Sequence, residues 1–201
     1  MNGFYKISLR KLFDNIGEND TLNILSDFSC PLNPDIEYFL KKKAVEFEKQ
    51  SISATHLIFT SYKNEKVLIG YYTLSIKSFN VDKSSISKTL RKRISKFATY
   101  DPMIKSYILP APLLAQIGKN FTNDYNKLIS GDELLGMAID DIKITQQIIG
   151  GKVIYLECED NDRLIEFYSS NGFVKFAERS LDKDETQIKG QYLVQMLRVL
   201  K

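Results

Sequence analysis

The chain has 201 residues, 43% of them apolar and 26% charged, with a net charge of +3. That length suits a single domain over residues 1–201 with a sizeable buried core, and the charged fraction excludes wholesale disorder. The net charge is too small by itself to mark a nucleic-acid binder. No apolar run reaches membrane-spanning length, and Met1 to Asn15 carries no signal-peptide core, so no membrane association is expected. Two cysteines, Cys30 and Cys158, and one histidine cannot build a usual zinc site, so no metal is expected. Both thiols read as reduced and structural, which points to the cytoplasm.

In chain order the pattern reads helix, helix, strands, an inserted helix, a strand, then helix, strand, helix, strand, strand. Asn33-Pro34-Asp35 is a helix start: Asn33 caps, Pro34 suits the first turn and Asp35 complements the dipole. Ile36, Phe39, Leu40, Ala44 and Phe47 keep helical spacing to about Gln50. Thr55 to Tyr62 and Val67 to Phe79 are rich in β-branched and aromatic residues, and the polar Lys63 to Lys66 between them predicts a hairpin.

Ser84 to Phe97 is a basic amphipathic segment, with Ile86, Leu90, Ile94 and Phe97 on one face. Ser106 to Gly118 reads as a strand whose first half Pro110 and Pro112 make irregular or edge-like. Gly131 to Ile149 is a helix opened by a capping box, Ser130 with Glu133, and closed by Gly150-Gly151. Lys152 to Cys158 is a strand, Asp162 to Ser170 a short helix closed by Asn171-Gly172, and Phe173 to Glu178 and Tyr192 to Val199 the last strands. Leu181 to Gln191 is a polar loop.

Three features bear on chemistry. A strand leads into a capped helix, whose first N–H groups can receive phosphate oxygens, although any strand–loop–helix has this shape. Phe167 and Tyr168 are neighbours on a helix, about 100° apart, so one can pack while the other faces a cleft. The mixed order of helices, hairpin and alternating strands and helices is the third.

Together these features resemble the GNAT superfamily of acyl-CoA-dependent N-acetyltransferases, over about Phe28 to Val199. Glu166-Phe167-Tyr168-Ser169-Ser170-Asn171-Gly172-Phe173 is similar to the family's FYxxxGF segment, and Leu114 to Lys119 to its central strand. Phe28 to Leu40 and Gly70 to Leu74 resemble a bacterial subgroup that includes tRNA-acetylating toxins. In Asn126-Lys127-Leu128-Ile129-Ser130-Gly131, which stands at the cofactor loop, only Gly131 matches; Asn126 replaces a basic or amide residue and Ile129 the first glycine.

The resemblance implies an α+β fold with a central mixed, mostly antiparallel twisted sheet, flanked by helices and parted at one strand pair for acetyl-CoA. It places Ile117 and Lys119 against the pantetheine arm, Asn126, Ser130, Gly131 and Asp132 at the pyrophosphate, and Asn161 near the cofactor arm. It makes Tyr168 the acid that protonates the leaving thiolate. The implied acceptor is an amine-bearing molecule, with an aminoacyl-tRNA, a protein and a small molecule all open, and a homodimer is open too. Glu157 and Glu159 fall on one side of a strand, as proton relays or as structural carboxylates; His56 reads as structural. Lys88, Arg91, Lys92, Arg93 and Lys96 form a solvated helix face or a surface for an acidic substrate such as tRNA. A non-catalytic CoA-binding or protein-interaction module with the same fold is the alternative, motivated by the departures at Asn126 and Ile129.

Overall fold

In the computed structural model, residues 3–183, 188 and 190–200 are described. The expected loop from Leu181 to Gln191 therefore lies partly outside the described residues. Of the eight strands β1 (Tyr5–Ser8), β2 (Ala54–Tyr62), β3 (Glu65–Asp82), β4 (Thr99–Asp101), β5 (Ser106–Lys119), β6 (Val153–Glu159), β7 (Val174–Ser180) and β8 (Tyr192–Val199), seven follow one another in the order β1-β2-β3-β5-β6-β8-β7, and β4 pairs with β5. The pairing is antiparallel for β1/β2, β2/β3, β4/β5, β6/β8 and β7/β8, and parallel for β5/β6. The chain divides into two compact units, one from Met1–Ser75, Ala115–Ala138 and Thr186–Ile188, the other from Ile76–Leu114, Ile139–Glu185 and Lys189–Lys201.

The first unit opens with β1 (Tyr5–Ser8), α1 (Leu9–Ile16) and α2 (Glu18–Ser26). The sequence reading begins with helices; a four-residue strand is too short to display a period of two. Asn33 caps α3 (Pro34–Tyr38) as expected, its Oδ1 accepting the Asp35 N–H at 3.0 Å. The helix then widens through a π turn at Phe39–Lys43 before α4 (Ala44–Lys49). Leu40 and Ala44 are wholly buried four positions apart, on the stripe that the helical spacing predicts. β2 (Ala54–Tyr62) and β3 (Glu65–Asp82) form the hairpin. Its turn is only Lys63-Asn64, both at positive φ, as a two-residue hairpin turn demands. Leu9, Leu25, Phe28, Leu40, Leu57 and Tyr71 anchor this unit's core.

In the second unit α5 (Lys88–Ile94) is capped by Ser87 and is half the expected length. Asp82 accounts for the later start, because its carboxylate accepts both the N–H and the hydroxyl of Ser84 and holds that stretch in a turn. β4 (Thr99–Asp101) pairs with the start of β5 (Ser106–Lys119), Thr99 opposite Ile108. This pairing keeps to the residues ahead of Pro110, whose missing N–H cannot join a ladder. α6 (Gly131–Ile149) runs through both units and ends, as expected, at Gly150 and Gly151, both at positive φ. β6 (Val153–Glu159), α7 (Asp162–Ser170), β7 (Val174–Ser180) and β8 (Tyr192–Val199) complete the chain. Phe79 stacks on Tyr155 at 4.1 Å within a core that includes Ile94, Leu109, Phe176 and Leu197. Among the described residues no helix is long and apolar enough to cross a membrane.

Candidate active site

In the first unit the candidate residues follow one another along the end of β5, a connecting loop and the start of α6. Gln116 and Gly118 share one face of β5, and Ile117 and Lys119, both half-buried, alternate with them. The Gly118 face is closely covered: a Cβ there would come within 2.4 Å of Ile36 Cγ2, so only glycine lets α3 pack this near the strand. Past the strand, Asn120 is 2% exposed and links three segments. Its Oδ1 accepts the N–H groups of Ser29 (2.9 Å) and Thr122 (3.1 Å), and its Nδ2 donates to the Leu68 carbonyl at 2.8 Å. Asn120 was missed in the sequence because its partners at positions 29 and 68 are remote.

Asn126 is half-buried in a short 3₁₀ segment, Thr122–Lys127. The capping box then forms as expected: the Ser130 N–H donates to Glu133 Oε2 at 2.8 Å, and the Glu133 N–H donates to Ser130 Oγ at 3.1 Å. Those hydrogen bonds hold the Glu133 carboxyl below its ordinary value. Ile129, which stands where the family loop has glycine, is 2% exposed, and Leu134 is 1% exposed. They occupy the two positions of a hydrophobic staple, so this helix start is built to be capped by its own side chains. Gly131 and Asp132 occupy its first turn, with Asp132 exposed.

The second unit holds Asn161 and Tyr168. Asn161 caps α7, its Oδ1 accepting the Arg163 N–H at 3.0 Å. At the other end of α7 the Gly172 N–H donates to the Ser169 carbonyl (2.9 Å) and the Phe173 N–H to the Tyr168 carbonyl (3.0 Å). With Gly172 at φ 79°, this is a Schellman motif. Its usual apolar contact is here the edge-on packing of Tyr168 with Phe173, ring centroids 5.8 Å apart. The FYxxxGF spacing thus acquires a mechanical meaning: the glycine turn folds Phe173 back to fix the Tyr168 ring. Tyr168 is the buried member of the aromatic pair at 7% exposure, and Phe167 is half-buried. Burial, with a smaller contribution from Cys158, pushes the Tyr168 phenol well up, so it stays protonated at neutral pH.

Glu157 sits at the centre of a polar cluster on β3, β6, β7 and β8. Its Oε2 accepts from Arg179 at 2.7 Å; its Oε1 accepts from Lys77 at 3.1 Å, from Gln195 at 3.2 Å and from the Tyr155 hydroxyl. Burial works to raise its pKa, but the Arg179 and Tyr155 hydrogen bonds and the Lys77 charge outweigh that and bring it to about 2. A carboxyl so held is ionised near neutrality and only weakly basic, in keeping with a structural role. His56 stacks on Tyr72 at 5.1 Å, in keeping with a structural role. Among the described residues no group of three or more His, Cys, Asp or Glu could hold a metal ion.

No protein-family model and no curated protein sequence matches this chain. Solved structures do. AtaT complexed with acetyl-methionyl-tRNAfMet has a TM-score of 0.61 at 16% identity, covering 96% of this chain and 94% of that one. A Tyr-to-Phe mutant of KacT has a TM-score of 0.63 at 16% identity, covering 97% and 94%. AtaTR bound with AcCoA has a TM-score of 0.59 at 18% identity, covering 97% and 94%. The likeness is one of fold, and it bears out the expected fold class.

Proposed function

We propose that this chain is an acetyl-CoA-dependent N-acetyltransferase whose acceptor is the α-amine of an aminoacyl-tRNA. The observation that carries this reading is a fold shared along nearly the whole chain with AtaT and KacT. AtaT is described with an acetylated methionyl-tRNA and AtaTR with AcCoA. The single domain over 1–201, a cytoplasmic location and a homodimer belong to the same proposal.

β5 and β6 pair in parallel at Leu113–Tyr155 and Leu114–Leu156. Ile117 and Lys119 offer backbone groups to the pantetheine amides. Asn126, Ser130, Gly131 and Asp132 meet the pyrophosphate at the positive end of the α6 dipole. Since Glu133 already engages the Ser130 N–H, the amides of Gly131 and Asp132 carry most of that contact. Asn161 approaches the cofactor arm. The neutral amine nitrogen attacks the thioester carbonyl carbon, the C–S bond breaks, and Tyr168 donates its hydroxyl proton to the departing sulfur. The excess amine proton returns through water to the Tyr168 oxygen and restores its hydroxyl. Positioning two reactants in this way contributes several kcal/mol, on the order of 7 or more in favourable cases.

The self-capped start of α6 favours one other reading, a non-catalytic CoA-binding or protein-interaction module. Titration calorimetry with acetyl-CoA, followed by transfer of labelled acetyl groups to a pool of aminoacyl-tRNA, separates the two. Binding and transfer are expected. Tyr168→Phe should lower kcat at least tenfold, about 10²-fold being ordinary for a lost proton donor, without weakening acetyl-CoA binding. Binding without transfer supports the module, and no binding at millimolar acetyl-CoA ends the enzyme reading.

A further inference from the structure

Three carboxylates of the first unit are half-buried among the described residues: Asp35, Glu37 and Glu48. Glu37 is engaged by Lys41 at 2.8 Å and by the Cys30 N–H at 2.8 Å. Glu48 accepts the Thr55 N–H at 2.9 Å, where α4 meets β2. Asp35 alone of the three reaches β5. Its Oδ2 accepts from Gln116 Nε2 at 3.0 Å, and that amide is neutral. Among the described residues no donor is found at its other oxygen, Oδ1.

Several contacts fix this carboxylate in place. Asn33 Oδ1 takes the N–H groups of Asp35 and Ile36. The Tyr71 hydroxyl, wholly buried, donates to the Ile36 carbonyl at 2.6 Å. Gly118 admits Ile36 against the strand. The first turn of α3 is thereby fastened to β3 and β5, with Asp35 directed at Gln116. A carboxylate steadied by a neutral partner keeps its full charge for a second, cationic partner. A carboxylate already paired with a lysine or arginine, as Glu37 and Glu157 are, has much less to offer.

An α-amine in water is a cation near neutrality, with a pKa of about 8. It must be gathered as an ammonium and give up one proton to water before it attacks as an amine. Resting on the acetyltransferase reading above, we propose that Asp35, oriented by Gln116, is the binding site for the acceptor's primary ammonium group. Asp35 receives the N–H donors of the incoming amine on Oδ1 while Gln116 holds Oδ2. Ile117 and Lys119, by backbone contact, serve the acetyl donor.

The test measures KM and kcat for a pool of aminoacyl-tRNA, with acetyl-CoA binding followed separately by calorimetry. Asp35→Asn keeps the shape and removes the charge. It is expected to raise the acceptor KM at least about tenfold, the scale of one charge-assisted hydrogen bond, with acetyl-CoA affinity unchanged. Asp35→Glu should recover part of the loss. If Asp35→Asn does not fold, Gln116→Met, which leaves the charge and removes its orienting donor, should raise the acceptor KM roughly threefold. An unchanged acceptor KM in the folded variant overturns the proposal and leaves the acetyltransferase reading standing. A native protein that binds no acetyl-CoA, or binds it and transfers nothing to aminoacyl-tRNA, overturns both.

Discussion

At the scale of single residues, two acidic or hydroxyl groups that look alike in the sequence part company through their neighbours. Tyr168 lies among Phe167, Phe173 and Cys158, and burial keeps it protonated. Glu157 lies between Arg179 and Lys77 and is kept ionised. Its folded pKa of about 2 is below the ordinary 4.5. The group therefore stabilises the fold fully above pH 4.5, and that contribution fades as pH falls toward 2. Glu157→Gln should unfold in urea with about 2 kcal/mol less stability at pH 7, below the 3–5 of a fully buried pair because Lys77 is partly solvated. The gap between native and variant should narrow on acidification through that window. A gap that is constant from pH 7 to pH 3 would show that the ion pairs do not hold the cluster together.

At the scale of elements, legibility follows sequence distance. The Asn33 cap, the Ser130–Glu133 capping box, the two-glycine stop of α6 and the Gly172 turn all rest on residues within five positions of one another, and each stands where the sequence puts it. The misses have a common cause. β1 is a strand of four residues whose partner β2 lies far along the chain, and β4 has three residues, too few to display a period of two even beside its near partner at the start of β5. The π turn at Phe39–Lys43 leaves no mark on an apolar stripe that reads as ordinary helix. Lys77 and Glu157 are 80 positions apart, so their cluster is invisible until the strands are in place.

Asn120 is the clearest example, since its hydrogen bonds join the loop after β5 to β3 and to the segment ahead of α3. Asn120→Leu keeps the branched shape but leaves two backbone N–H groups and one carbonyl without their partner. At about 1–3 kcal/mol for each unsatisfied buried group, relieved in part by water, a net loss of ~3 kcal/mol is expected. Thermal melting would measure the loss. If Asn120 positions the loop as well as stabilising it, acetyl-CoA affinity in the variant should fall even well below its melting temperature.

At the scale of the whole molecule, the net charge of +3 conceals a local excess. On α5 and just past it, Lys88, Lys92 and Lys96 are exposed, while Arg91 is half-buried and Arg93 donates to the Val199 carbonyl at 2.9 Å. Arg93 thereby helps hold α5 to its unit, and Arg91 buries its Nε with no partner among the described residues, so substitution of either would confound folding with binding. The three lysines are the proper probes of an RNA-facing surface. A duplex phosphate neutralised by a lysine releases condensed counterions, giving the logarithm of affinity a slope of about −0.9 per contact against the logarithm of salt, or about −0.7 for single strands. If tRNA is the acceptor and α5 meets it, Lys92→Glu with Lys96→Glu should raise the KM for aminoacyl-tRNA at low salt. The same pair should flatten its salt dependence by about 1.5, with kcat and acetyl-CoA binding unchanged. The salt slope is the decisive quantity, because a damaged fold lowers activity at every ionic strength without changing the number of phosphates contacted. A native slope near zero would exclude this face from contact with tRNA, and a steep slope that survives both reversals would move the contact to another surface of the protein.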